Sequence, residues 1–310
     1  MAADHSDARA DSRAVLRGRL GGGRVLVLDG ATGTELQRRG VRSTLPLWSS
    51  WGLLEAPAVV RAIHLDYLRA GVEALTAATF RTHARSLAAA GLEARGAELS
   101  ALAVRLAREA GEQAGRGPLV LGSAAPLEDC YHPERVPEDA VLAREHAQHA
   151  RHLVLAGVDG ILVETINTLR EGVAAARAAR EAGADVLVSF VCGAEARLLS
   201  GEPLAEALDA VAALAPLAVG VNCLPPAAAD LCLDVLRRSG RPFLVYANVD
   251  APGAPLAAEA EDALPQVFAA RALRWAEAGA SCVGGCCGTG PAHLHALVAR
   301  LAAREALRAS

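Results

Sequence analysis

The chain has 310 residues, of which 52% are hydrophobic and 21% charged, and 31 basic residues against 35 acidic ones give a formal charge of −4. This is enough apolar material for one large domain or two average ones, while the missing basic excess and the 3% aromatic content argue against nucleic-acid binding. Every basic residue is arginine, so a lysine Schiff base and a P-loop lysine are excluded.

Residues 1–23 mix Asp and Arg and lack the apolar stretch of a secretory signal; they predict a flexible, frayed tail. Gly21-Gly22-Gly23 reads as the hinge into the fold, since it precedes a strand rather than following one, the wrong order for a phosphate cradle. From residue 24 onward short β-like runs alternate with helical stretches. The runs are RVLVLD, EALTA, PLVLGS, GILVET, VLVSFV, AVGVNC, PFLVYAN and ASCVGG, eight in all. Intervening segments such as EDAVLAREHAQHARHLVLAG end in Ala-Gly, a helix stop. The order predicts an α/β fold over residues 24–310, a single closed (β/α)8 TIM barrel, with a doubly wound open sheet as the alternative. No run of about 20 apolar residues predicts a membrane span. Seven cysteines, an odd number, without a signal sequence predict a reducing, cytoplasmic setting where thiols serve metals or catalysis.

In such a barrel the chemistry sits at the C-terminal ends of the strands. Those ends read Asp29-Gly30, Thr79-Phe80, Gly122-Ser123, Glu164-Thr165, Cys192, Asn222-Cys223, Asn248 and Gly285-Cys286-Cys287. In GGCCGTGP, residues 284–291, regular β geometry would point the two neighbouring thiols to opposite faces, but the flanking glycines permit a backbone that turns both inward. In GVNCLPP the strand stops at Pro225-Pro226 just after Cys223. Closure of the barrel would bring strands six and eight to one rim, so Cys223, Cys286 and Cys287 form a three-thiolate zinc set with an open fourth position. Buried small residues in a tight turn, a vicinal disulfide, and a packed core thiol at Cys223 are the alternatives.

Cys130, Cys192, Cys232 and Cys282 are expected to pack inertly. His146, His149 and His152 lie along one helix face among Arg and Glu and are expected to be solvated, and His293 and His295 are splayed, so none is taken as a ligand. Glu164, a carboxylate closing an apolar strand, needs a cation or hydrogen-bond donors; the competing reading is a helix-capping role beside Thr165 and Thr168. Asp29 is either a ligand-holding carboxylate, with Gly30 and Gly33 letting a ligand approach the backbone, or part of a plain Asp-Gly turn.

Taken together, LDGATGTELQRRG, TAATFRTH, ETINTLREG, SFVCGAEARLLSGEPL, GVNCLPP and GGCCGTGPAHL resemble, in order, the motifs of the zinc-dependent homocysteine S-methyltransferases. That family includes betaine- and S-methylmethionine-using enzymes and one module of cobalamin-dependent methionine synthase. The resemblance covers nearly all of the chain after residue 24 and implies the same barrel. It implies Cys223, Cys286 and Cys287 as ligands of Zn2+, with Glu164 and Asp29 holding the ammonium of homocysteine. Gly30, Trp48 and Ser49 would lie around the substrate carboxylate, with Asn222 in the same site, and Thr79, Phe80 and Asn248 on the donor side. The strand-seven segment Tyr246-Ala247-Asn248-Val249-Asp250 and the loop GSAAPLEDCYHPERVP depart from the family pattern where a donor would be recognised.

The expected activity is zinc-dependent methyl transfer from a small methyl-onium donor to the thiol of homocysteine. S-methylmethionine or S-adenosylmethionine is favoured, because a net-negative thiolate cluster attracts a cation and because a corrinoid or folate route would call for further modules. Betaine would want an aromatic cage, for which Phe80, Tyr131 and Trp48 are the candidates. A betaine-dependent or other thiol or selenol methyltransferase, and a non-catalytic zinc- or redox-sensing barrel, are the alternatives. A barrel hydrolase is disfavoured by the all-cysteine set. The expected partners are small molecules, with neither nucleic acid nor membrane, acting as a monomer or homo-oligomer.

Overall fold

The structure is a computed structural model that describes residues 2–249 and 264–309; Asp250 of the strand-seven segment lies outside the described residues. All eight predicted runs are strands: β1 (Leu26–Val27), β2 (Ala74–Ala77), β3 (Leu119–Ala124), β4 (Gly160–Ile166), β5 (Val186–Phe190), β6 (Ala218–Asn222), β7 (Phe243–Ala247) and β8 (Cys282–Gly285). Each pairs in parallel with the next, and β1 pairs with β8. A Leu28–Ala74 bridge joins the first strand to the second, so the sheet wraps into a (β/α)8 barrel and the open-sheet alternative is set aside.

The helices are α1 (Ala2–Gly21), α2 (Thr32–Arg38), α3 (Ser50–Glu55), α4 (Pro57–Arg69), α5 (Ala84–Ala88), α6 (Gly96–Gln113), α7 (Asp139–Ala156), α8 (Leu169–Glu181), α9 (Leu204–Ala212), α10 (Pro226–Arg238), α11 (Pro265–Glu277) and α12 (Pro291–Ala309). Their boundaries follow local chemistry. Pro57, Pro226, Pro265 and Pro291 open helices, where a missing N–H costs nothing. Gly71, Gly157, Gly183 and Gly279 follow helices with positive φ, the conformation that frees the chain for the next strand. Among the described residues no helix is long and apolar enough to cross a membrane.

Strand alternation sorts the core into two layers. Val27, Leu75, Val120, Ile161, Val163, Val186, Val188, Val219, Val221, Val245 and Val283 face the helices. Leu26, Leu28, Leu119, Leu121, Leu162, Leu187, Leu244 and Cys282 fill the barrel interior. The interior parity then turns polar toward the C-terminal end, at Thr76, Ser123, Glu164, Ser189, Asn222 and Tyr246. That gradient builds the site.

The opposite end corrects the tail expected over residues 1–23. Residues 2–21 form α1, and Leu16 and Leu20 are buried in the interior layer. Three acidic residues, each immediately preceding a strand, hold the helix. Ser12 donates to Asp159 (2.6 Å), Arg13 and Arg17 pair with Asp185 (3.2 and 2.8 Å), and Arg19 pairs with Glu73 (2.6 Å). Composition suggested disorder because the helix is polar overall; its two leucines, four apart, find the apolar floor of the barrel. Leu16→Ala is expected to lower the unfolding free energy by about 2–5 kcal/mol, measured by denaturant titration, without changing turnover at the far rim.

Candidate active site

At the C-terminal rim the three thiols meet. The Sγ atoms of Cys223, Cys286 and Cys287 all lie within 4.8 Å of one another, and Cys223 and Cys287 are 3.8 Å apart. Backbone departures aim them. Cys223 follows β6 with φ +56°, which breaks the strand alternation before Pro225-Pro226 start α10. Cys286 still donates its N–H to Ala247 (2.9 Å), as the β7–β8 ladder would continue, whereas the Cys287 N–H turns to Asn248 Oδ1 (3.1 Å). Gly288 follows with φ +83°, completing the turn. At Gly285 a Cβ would run into the Thr289 side chain, so any larger residue would displace the cysteine turn.

The thiols are unequal. Hydrogen bonds from Cys286 and Cys287, then from Tyr131, pull the Cys223 pKa well below the usual thiol range, against the effect of burial. The Tyr131 hydroxyl lies 3.0 Å from Cys223 Sγ. Hydrogen bonding to Cys223, with burial adding to it, pushes Cys286 and Cys287 up. A cation placed among the three sulfurs would favour the thiolate form of all of them.

The thiols open into a cavity of about 100 Å³ whose walls include Asp29, Glu164, Ser123, Tyr246, Phe80, Trp48 and Ser49. Its charge is one-sided. Among the described residues two carboxyl groups and three thiols line it, and no Arg or His does. Asp29 is 2% and Glu164 7% exposed. Glu164 accepts hydrogen bonds from Ser123 Oγ, Tyr246 OH (3.0 Å) and Asn222 Nδ2 (3.4 Å), all neutral donors. Burial raises its pKa to about 7 despite those donors. Asp29 accepts the Thr76 N–H (2.9 Å), and burial, with Glu164 adding to it, raises its pKa to about 8. Two buried carboxyl groups whose pKa values are raised toward neutral pH suit a cationic ligand, which would favour their ionised forms. The capping reading of Glu164 fails, because Thr168 caps α8 by accepting the Glu171 N–H.

The other expected residues divide. Gly30, Trp48, Ser49 and Phe80 line the cavity, but Thr79, Asn222 and Asn248 are buried outside its lining. Thr79 Oγ1 bridges to the Ser123 backbone, donating to its carbonyl and accepting its N–H. Asn222 Oδ1 accepts from the Thr165 N–H and Ser189 Oγ, while Nδ2 donates to Thr165 Oγ1. All three hold the wall rather than form it. Gly30 and Gly33 both line the cavity, and protein atoms occupy the space that a side chain at either position would need. A Cβ on Gly33 would collide with the Trp48 indole, and one on Gly30 would stand 2.8 Å from the Tyr67 hydroxyl. Left-handed backbone concentrates here too, at Trp48 (φ 48°), Thr165 (φ 60°) and Cys223, all lining the cavity.

Sequence reasoning gave no role to Ser123 and Tyr246, the two hydroxyls on Glu164. Their parity with interior leucines, Leu121–Ser123 and Leu244–Tyr246, was the available signal. The helix expected to expose His146 and His149 buries both. His146 Nε2 lies 3.2 Å from Glu171, His149 Nε2 lies 3.3 Å from the Ser123 carbonyl, and burial holds His149 neutral with a pKa of about 3. They brace the wall behind Ser123. Cys192, Cys232 and Cys282 are buried core thiols, and burial raises Cys282 to about 12.

The sequence pattern described as homocysteine S-methyltransferase matches residues 26–301. The chain belongs to that family. It is 33% identical to the homocysteine S-methyltransferase of Escherichia coli (strain K12), over 89% of this chain and 95% of that one. It is 28% identical to the selenocysteine Se-methyltransferase of Brassica oleracea, over 92% and 91%. The metallated form of the E. coli homocysteine methyltransferase MmuM superposes with a TM-score of 0.78 at 32% identity, covering 89% of this chain and 96% of that one. The protein is thus an enzyme, a methyltransferase that acts on small molecules, and its thiol trio is a group able to hold a metal ion.

Proposed function

We propose that this enzyme moves a methyl group from a small sulfonium donor, S-methylmethionine or S-adenosylmethionine, to the thiol of homocysteine, using a zinc ion held by Cys223, Cys286 and Cys287. The observation that carries the reading is the cavity's composition: three mutually close thiols beside two buried carboxylates, with no basic side chain among the described residues that line it. Three soft sulfur ligands on a partly exposed rim suit zinc with one position left open. When bound there, zinc lowers the pKa of an acceptor thiol and keeps its sulfur a competent nucleophile at neutral pH.

The protein's own residues do the rest. Asp29 and Glu164 bind the acceptor's ammonium, and in doing so give up protons they hold in the empty site. Gly30 and the Trp48–Ser49 segment lie where its carboxylate would be received. Ser123, Tyr246 and Asn222 fix the Glu164 rotamer, so the amino acid enters with its sulfur toward the thiols. Phe80 and Trp48 exclude water from the donor's side. The anionic walls attract an onium donor, and that attraction is relieved when the methyl leaves with its charge neutralised.

The test is purified, zinc-loaded protein given homocysteine and one donor at a time, scored for methionine by mass spectrometry. Sulfonium donors are expected to turn over. Turnover with betaine, methylcobalamin or methylfolate and with no sulfonium would overturn the donor assignment. The selenocysteine methyltransferase relative makes selenocysteine the second acceptor to try.

A further inference from the structure

Arg81 follows Phe80 in the loop after β2 and is only 4% exposed. Among the described residues it forms no ion pair. Its Nη1 donates to the carbonyls of Pro126 (3.2 Å) and Glu128 (2.9 Å), and its Nε has no partner. Neighbouring Arg85, by contrast, is matched by Glu145 and Glu128. Carbonyls satisfy N–H groups without neutralising charge, so a buried guanidinium left this way is costly until an anion reaches it. Burial draws the Arg81 pKa below the usual guanidinium range, although the nearby Cys130, Asp129, Glu128 and Glu171 oppose the shift without pairing with it.

Arg81 lines a second cavity of about 160 Å³, together with Arg85, Arg135, Ser86 and the Leu45-Pro46 turn. Glu128 and Asp129 share this wall but are engaged, Glu128 with Arg85 and Asp129 Oδ1 with the Tyr131 N–H. The two cavities share no lining residue, but residues close in sequence border them. Segment 45–46 borders the second and Trp48-Ser49 the first. Phe80, which lines the first, has its ring centroid 5.2 Å from the Arg81 guanidinium carbon. An anionic cavity without a base therefore adjoins a small one that holds an unpaired guanidinium.

We propose that the Arg81 cavity is the carboxylate subsite for the methyl donor, so that the enzyme selects zwitterions carrying an onium methyl at one end and a carboxylate at the other. This rests on the methyl-transfer reading above. The onium centre faces the thiols, and the carboxylate reaches Arg81 past Phe80, with Arg135 at the mouth. In the transfer the donor's carbon–sulfur bond breaks, its electron pair stays on the donor sulfur, and the new bond forms to the acceptor sulfur, whose proton has gone to solvent. The donor carboxylate is unchanged, and its role is grip.

The experiment compares S-methylmethionine with its carboxyl methyl ester, which removes the carboxylate charge, at a pH that keeps the α-ammonium of both protonated. Calorimetry on zinc-loaded protein is expected to show the free acid binding roughly 10- to 100-fold tighter than the ester, with Arg81→Gln binding both alike. Arg81→Lys, which keeps the charge, should restore part of the preference. Arg135→Gln, at an exposed position safe for folding, should reduce it about two- to threefold. In trideuteromethyl-transfer assays the same variants should lose kcat/KM on the free acid and not on the ester, with the KM for homocysteine unchanged. Equal binding of acid and ester by the unsubstituted protein, or equal losses on both in Arg81→Gln, would overturn the subsite. Binding preference as expected but no methyl transfer from either compound would leave the subsite and overturn the donor reading.

Discussion

Cys286→Ser is expected to abolish zinc retention and, with it, methionine formation. The three Sγ atoms lie within 4.8 Å of one another, so each thiol is a large share of one small ligand set. Loss of an outer-shell partner alone costs about 10- to 100-fold in metal affinity, and loss of a ligand should exceed that range. Serine preserves the size of the side chain but its hydroxyl ionises far less readily than a thiol, so the variant should fold with its turn intact. Cys232→Ser, on a buried face of α10, should keep a full complement of zinc and serves as the comparison. Metal content by mass spectrometry after exhaustive dialysis decides the matter. Full zinc in a Cys223/Cys286/Cys287 triple variant would remove the metal assignment, whatever the turnover.

The thiol trio was legible because its signals are local. Glycines around adjacent cysteines and a double proline after Cys223 announce irregular backbone, and eight alternating runs announce a barrel that brings strands six and eight together. The carboxylates were legible as strand ends. What sequence reasoning missed depends on two things that it weighs poorly. One is strand parity carried through to the rim, which puts Ser123 and Tyr246 on the Glu164 carboxylate and turns Thr79 away from the cavity. The other is a partner surface that exists only after folding. The helix over residues 2–21 looks unsupported until Asp159, Asp185 and Glu73 assemble at the floor of the barrel. His146 and His149 look solvated until α7 packs against α8 and the wall of Ser123. Composition describes a segment's average affinity for water, and in both places a few buried side chains decide against the average.

The pH dependence of ligand binding should expose Glu164 and Asp29 directly. Their pKa values in the empty protein, about 7 and about 8, lie well above the ordinary carboxyl range because burial disfavours the charged forms. The stability gained by keeping them protonated is fully present below the ordinary carboxyl range, near pH 4, and is lost as the pH rises through 7 and 8. An ammonium ligand reverses the preference, favours the ionised pair and releases protons as it binds. Affinity for an amino acid should therefore rise with pH between about 6 and 8, by up to a factor of ten per unit for each group still protonated. Methionine is the ligand to use, since it carries the ammonium but no thiol whose own proton would confuse the count. Calorimetry in buffers of different ionisation enthalpy gives the protons released. In Glu164→Gln the release should fall by the share that Glu164 contributes, and methionine and homocysteine should bind roughly 10- to 100-fold more weakly, the scale of a lost charged hydrogen bond. Zinc content should not change, because no thiol depends on this side chain for its position. The variant should also fold well, since glutamine resembles the protonated carboxyl that Ser123 and Tyr246 surround in the empty site. Unchanged affinity and unchanged proton release in Glu164→Gln would leave Asp29 as the sole ammonium partner and reduce Glu164 to a polar brace between β3, β4 and β7.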